Sequence, residues 1–129
     1  MAKENIESRS ANLTIISQGT AIEGIINSNG NLRLDGQFKG QIQVEGNIVI
    51  GKEGIVQAEI HCHTLTIAGK IRGNLYVQEQ VILEKEAVVI GDIQSRYLIV
   101  NEGAVFHGYN KITNLNTLQQ EWKDDSKHE

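Results

Sequence analysis

The sequence predicts an all-β fold, a single-domain parallel β-helix or solenoid of about six coils with flexible polar termini. Three observations carry that prediction. The stretch from Asn31 to Val77 states one pattern three times, as NLRLDGQFKGQIQVEG, NIVIGKEGIVQAEIHCHT and LTIAGKIRGNLYV, with Leu32, Ile48 and Leu65 opening the units at spacings of 16 and 17. Within a unit apolar and polar residues alternate, as at Leu32, Leu34, Phe38, Ile42 and Val44, so successive side chains point inward and outward along short strands. Glycine or alanine separates the pairs at Gly36 and Gly40, Gly54 and Ala58, and Gly69 and Gly73. A period this short cannot hold a helix pair, but it accommodates three short strands with tight corners. One such coil cannot bury its own apolar face. Stacked coils can, with each strand pairing in parallel to its counterpart one repeat later.

The elements follow in chain order. Residues 1–12 are polar with mixed charge, Ile6 being the one large aliphatic residue there, and read as a flexible lead-in. The β-helix spans residues 13–112. Its first coil runs from Leu13-Thr14-Ile15-Ile16 through Gly19–Gly24 to Ile26 and the turn Asn27-Ser28-Asn29-Gly30, and is looser than the rest, as terminal repeats are. Three clear coils come next. A fifth, Val81 to Ser95, repeats the third at an offset of 33, matching Val81 to Ile48, Val89 to Val56 and Ile93 to Ile60. The sixth opens at Leu98 and Val100, passes through Phe106 and ends weakly, because its last inward slots fall on Asn110 and Ile112. Six coils at about 4.8 Å make a rod roughly 29 Å long. Residues 113–129 lose the pattern; Leu115, Leu118 and Trp122 stand at helical intervals, which fits either a solvated tail or a short helix covering the last coil or docking on a partner.

Composition agrees with a soluble domain. The chain has 40% apolar and 22% charged residues, its 5% aromatic content leaves the interior to Ile, Val and Leu, and it contains no proline to interrupt a ladder. All 13 glycines lie between Gly19 and Gly108, which bounds the repetitive body. No apolar run approaches a membrane span and the start Met1-Ala2-Lys3-Glu4-Asn5 is not a secretory signal. The one cysteine cannot form an internal disulfide, which favours the cytoplasm.

Chemistry is sparse. His61-Cys62-His63 uses the vocabulary of zinc sites, but alternation sends Cys62 inward with Ile60 and both histidines outward, so no metal is expected. Gly36-Gln37-Phe38-Lys39-Gly40 is glycine-rich beside a lysine, yet it recurs as Gly69-Lys70-Ile71-Arg72-Gly73 and reads as a corner, not a phosphate cradle. No catalytic motif of the hydrolase, zinc-protease or P-loop type is present, so no catalytic residue and no cofactor is assigned. The net charge of −4 and the scattered Lys and Arg argue against nucleic acid.

The phrases Leu32–Gly40, Ile67–Leu75 and Leu98–Gly108 resemble the bactofilins, bacterial polymer-forming cytoskeletal proteins, and the resemblance extends over Leu13 to Ile112. It implies a right-handed β-helix of triangular cross-section that assembles without nucleotide into nonpolar filaments. It also implies a cytoplasmic scaffold, often at the inner face of the membrane, for cell-wall enzymes and other envelope proteins. Members commonly reach the membrane through a short apolar or basic N-terminal motif, toward which this chain offers only Ile6, Lys3 and Arg9, a departure from that pattern.

Assembly also follows from the residues. A stack of coils ends twice, each end presents unpaired strand edges around an apolar cross-section, and neither flank reads as a polar cap. The expected partner is the chain itself. The residues assigned to the C-terminal interface are Leu98, Val100, Phe106 and Ile112, and to the N-terminal interface Leu13, Ile16, Ile22 and Ile26. Two other functions use the same architecture: a left-handed hexapeptide-type enzyme such as an acyltransferase or carbonic anhydrase, and a soluble binding module. The period of 16 to 17 in place of 18, and the lack of a loop bearing catalytic groups, count against the enzyme.

Overall fold

The computed structural model describes residues 12–113. Alternation of apolar and polar side chains winds these residues into ten strands, and no helix occurs among them. The first coil is β1 (Leu13–Ile16) and β2 (Ala21–Ser28), and the second is β3 (Asn31–Leu34) and β4 (Gln37–Val44). The third is β5 (Asn47–Ile50) with the start of β6 (Ile55–Ile67), and the fourth joins the end of β6 to the start of β7 (Lys70–Leu83). The fifth is the end of β7 with β8 (Val88–Ser95), and the sixth is β9 (Tyr97–Val100) and β10 (Val105–Ile112). Every pairing is parallel, so the molecule is a β-solenoid of six turns.

The register follows the repeat. Leu32 pairs with Ile48, Ile48 with Leu65, Leu65 with Val81 and Val81 with Leu98. The offset of 33 also holds, since Val56 pairs with Ile71 and Ile71 with Val89. Inward positions form apolar columns whose middle members, such as Ile48, Ile60, Leu65 and Val81, are fully buried. Each such aliphatic side chain contributes about 1.5–3 kcal/mol by leaving water.

The expected three strands per coil appear as two, one of four residues and one of eight. The third corner lies inside the longer strand, where Gly24, Gly40, Gly73, Gly91 and Gly108 adopt φ between 136° and 144°. A Cβ at Gly91 would overlap the carbonyl oxygen of Gly73 in the coil beneath, so both backbone conformation and close stacking require glycine there. Ala58 takes the same place in the third coil, and pairing between β6 and β7 skips it, passing from Gln57↔Arg72 to Ile60↔Leu75.

The expected lead-in and tail, Trp122 included, lie outside the described residues except for Asn12 and Thr113. At their inner edges the ladder runs one residue further than expected at each end. Asn31 N–H donates to the Asn12 carbonyl at 3.0 Å, and Thr113 N–H donates to the Ser95 carbonyl at 2.7 Å.

Candidate polymerisation interface

Among the described residues the end strands pair on one side only: β1 and β2 with β3 and β4, and β9 and β10 with β7 and β8. Parallel strands with a free edge keep one row of N–H and C=O groups available to a further coil. The register places most of the assigned interface residues at the ends of inward columns. Ile16 pairs with Leu34, Ile22 with Phe38 and Ile26 with Ile42 at one end. At the other, Leu98 pairs with Val81, Val100 with Leu83, Phe106 with Val89 and Ile112 with Ser95. Leu13 is different: it pairs with Asn31, an outward position, and Thr14 takes the inward slot beside Leu32.

Exposure separates these residues further. Ile16 is only 5% exposed and has little surface left to offer, whereas its C-terminal counterpart Val100 is 49% exposed. Leu98, Phe106 and Ile26 are half-buried against the core. Of the twelve exposed large apolar side chains among the described residues, four lie in the first coil and five in the sixth. Ile15, Ile25, Tyr97, Ile99, Val105 and Tyr109 among them were not singled out from the sequence, because inward columns alone were followed. A partial signal was present: the doublets Ile15-Ile16 and Ile25-Ile26 and the run Leu98-Ile99-Val100 break the alternation in both end coils, as Ile48-Val49-Ile50 and Val81-Ile82-Leu83 also do in the middle.

Comparison with known proteins identifies the family. A family model described as bactofilin, polymer-forming cytoskeletal, matches residues 14–111. The chain belongs to the bactofilin family. Its fold is similar to a Thermus thermophilus bactofilin seen by cryo-EM reconstruction as double helical filaments, with a TM-score of 0.74 and 31% identity over 77% of this chain and 98% of that one. Among curated proteins none matches the sequence.

In this bactofilin the His61-Cys62-His63 segment is arranged as alternation requires. Cys62 is 4% exposed and both histidines face outward. His61 Nε2 lies 2.9 Å from Glu59 Oε2, and its ring stacks on Tyr76 with centroids 4.7 Å apart. His63 Nδ1 lies 3.3 Å from Gln78 Oε1. No group of three or more His, Cys, Asp or Glu among the described residues is placed to hold a metal. Cys62 does more than fill space: its thiol donates to the Thr64 carbonyl at 3.6 Å, as Ser95 Oγ donates to the Tyr97 carbonyl at 3.0 Å at the matching corner two coils on. Burial pushes the Cys62 thiol up to about 12, which keeps it protonated and unreactive near neutral pH. No helix among the described residues is long and apolar enough to cross a membrane.

Proposed function

We propose that this bactofilin assembles end to end through its first and sixth coils into filaments that need no nucleotide. In this reading the body is right-handed, as the family resemblance implies, and its coils are triangular, which is supported by three corners per turn, as at Gly36, Gly40 and Gly46 of the second coil. The observation that carries the proposal is the crowding of exposed apolar side chains into the two coils whose strands also have free edges. Joining supplies both missing partners at once, since backbone edges pair and the column ends leave water. If like ends meet, each junction is two-fold symmetric and the filament has no polarity. Such a filament is a cytoplasmic scaffold, at the inner face of the membrane, for cell-wall enzymes or other envelope proteins.

The test is Phe106→Arg. Phe106 ends the column Phe38, Val56, Ile71, Val89 at the free edge of β10. A guanidinium there must be desolvated against its own copy at a symmetric junction, which costs several kcal/mol. The variant is expected to keep the β-rich circular dichroism of the parent and to sediment as dimers or monomers. Filaments of parental length in negative stain would contradict the proposal.

A further inference from the structure

The short strands β1, β3, β5, the end of β6, the end of β7 and β9 pair in sequence to form one continuous parallel face along the rod. One outward row of that face is Ile15, Arg33, Val49, Thr66, Ile82 and Ile99. The row beside it has Leu13 and Tyr97 at its ends with Asn31, Asn47, Thr64 and Gln80 between. Arg33 is the one charged residue in the two rows, and Asp35 holds it at 2.9 Å. The outward positions of the long strands contrast with this in charge: beside apolar Ile55, Ile90 and Val105 they carry Glu23, Lys39, Glu59, Lys70, Arg72 and Asp92, all exposed.

The same bias is written in the chain. Ile48-Val49-Ile50, Val81-Ile82-Leu83 and Leu98-Ile99-Val100 are unbroken apolar triplets, although only the first and third residue of each is needed for the core. A solvated sheet face alternates apolar-in with polar-out. Val49, Ile82 and Ile99 depart from that rule on a face that carries a single charge, and the row is apolar at both ends of the rod, at Ile15 and Ile99, where it meets the proposed junctions.

We propose that this face is a lateral interface between two filaments of this protein, the same face of a second copy being its occupant. This rests on end-to-end assembly, because of area. Six strands about 4.8 Å apart and about four residues wide give roughly 380 Å² per copy, or about 750 Å² for a facing pair. Stable association takes about 1,200–2,000 Å². Two free subunits therefore do not pair, whereas two filaments do, since every added subunit contributes the same area within a tethered array. Parallel continuity from end to end is what such an array requires. Facing sheets also pack with strand directions about 30° apart, because each is twisted. Strands lie across the rod, so two rods in face contact cross at a similar angle and wind around one another. The relative's filaments are described as double helical.

The experiment compares the full-length parent with Thr66→Glu by pelleting and negative-stain microscopy, without nucleotide. Thr66 is half-buried, outward and central to the face, away from both ends. The parent is expected to form paired, intertwined filaments. The variant is expected to pellet as single strands of unchanged length, with a second variant, Gln80→Glu, giving the same result should the first fold poorly. Parent filaments that are present but single, or variants that stay paired, overturn the lateral interface alone. A parent that forms no filaments overturns end-to-end assembly and the lateral interface with it. Flotation with phosphatidylcholine vesicles separates a lipid-facing role: filaments that bind vesicles through this face, lose that binding in Thr66→Glu and remain paired would overturn the proposal in favour of a membrane.

Discussion

The four middle coils and the two end coils share one register but are finished differently. In the middle, the inward positions are closed above and below, and Leu34, Ile48, Ile60 and Leu83 have no exposed surface. At the ends the same columns stop at Val100 and Phe106 on one side and Ile22 and Ile26 on the other, half-buried or exposed. A solenoid that ends on polar capping repeats stays soluble as single subunits. Here the end coils are more apolar on their outward positions than the middle, with Ile25 68% and Tyr109 81% exposed. If filaments join end to end as proposed, stability is made in the middle and association at the edges, and mutations should divide accordingly.

The largest expected effect is in the middle. Gly91→Val places a branched side chain where φ is +136° and where even a Cβ overlaps Gly73 backbone, and it should destabilise by about 4–5 kcal/mol or more, read as loss of the cooperative thermal transition. At the end, Gly24 has the same conformation but nothing within 4 Å of an added Cβ. Gly24→Ala should therefore cost less than the same change at Gly91, and equal losses would break the comparison.

Next come the side chains. Ile60→Ala empties a fully buried site and should cost about 2–5 kcal/mol in denaturant unfolding. Ile25→Ala, at an exposed site of the first coil, should change stability by no more than about 0.5 kcal/mol and should show its effect in the concentration needed for pelleting.

The repeat made most of this readable in advance. Spacings of 16 and 17 between Leu32, Ile48 and Leu65 reappear as paired residues, because inward slots in a stacked coil admit only apolar side chains. Alternation likewise separated Cys62 from its flanking histidines. Leu13 was less legible: Leu13-Thr14-Ile15-Ile16 offers apolar residues in both phases, and the neighbour Leu32 selects Thr14 as inward. The charge-poor face was hidden for a related reason. An outward Val49 or Ile82 looks like core until the register shows that its neighbours already fill the column.

The smallest effect sharpens the picture of the middle. The Cys62 thiol, raised from 9.0 to about 12 by burial, binds its proton more tightly folded than unfolded. Its stabilising contribution is complete below pH 9 and is lost as pH rises from 9 toward about 12. Cys62→Ser should fold, since Ser95 makes the equivalent hydrogen bond two coils on, and should show a flatter stability profile across that alkaline window in urea melts.

Amide hydrogen exchange on assembled protein tests the division between middle and ends most directly. In parent filaments β1, β2, β9 and β10 should exchange as slowly as β5 and β6, while in Phe106→Arg protection should vanish from β9 and β10 and, where like ends meet and the variant is a dimer, persist in β1 and β2. Equal and rapid exchange of all four end strands in parent and variant would mean that the edges are never joined, and would contradict the account.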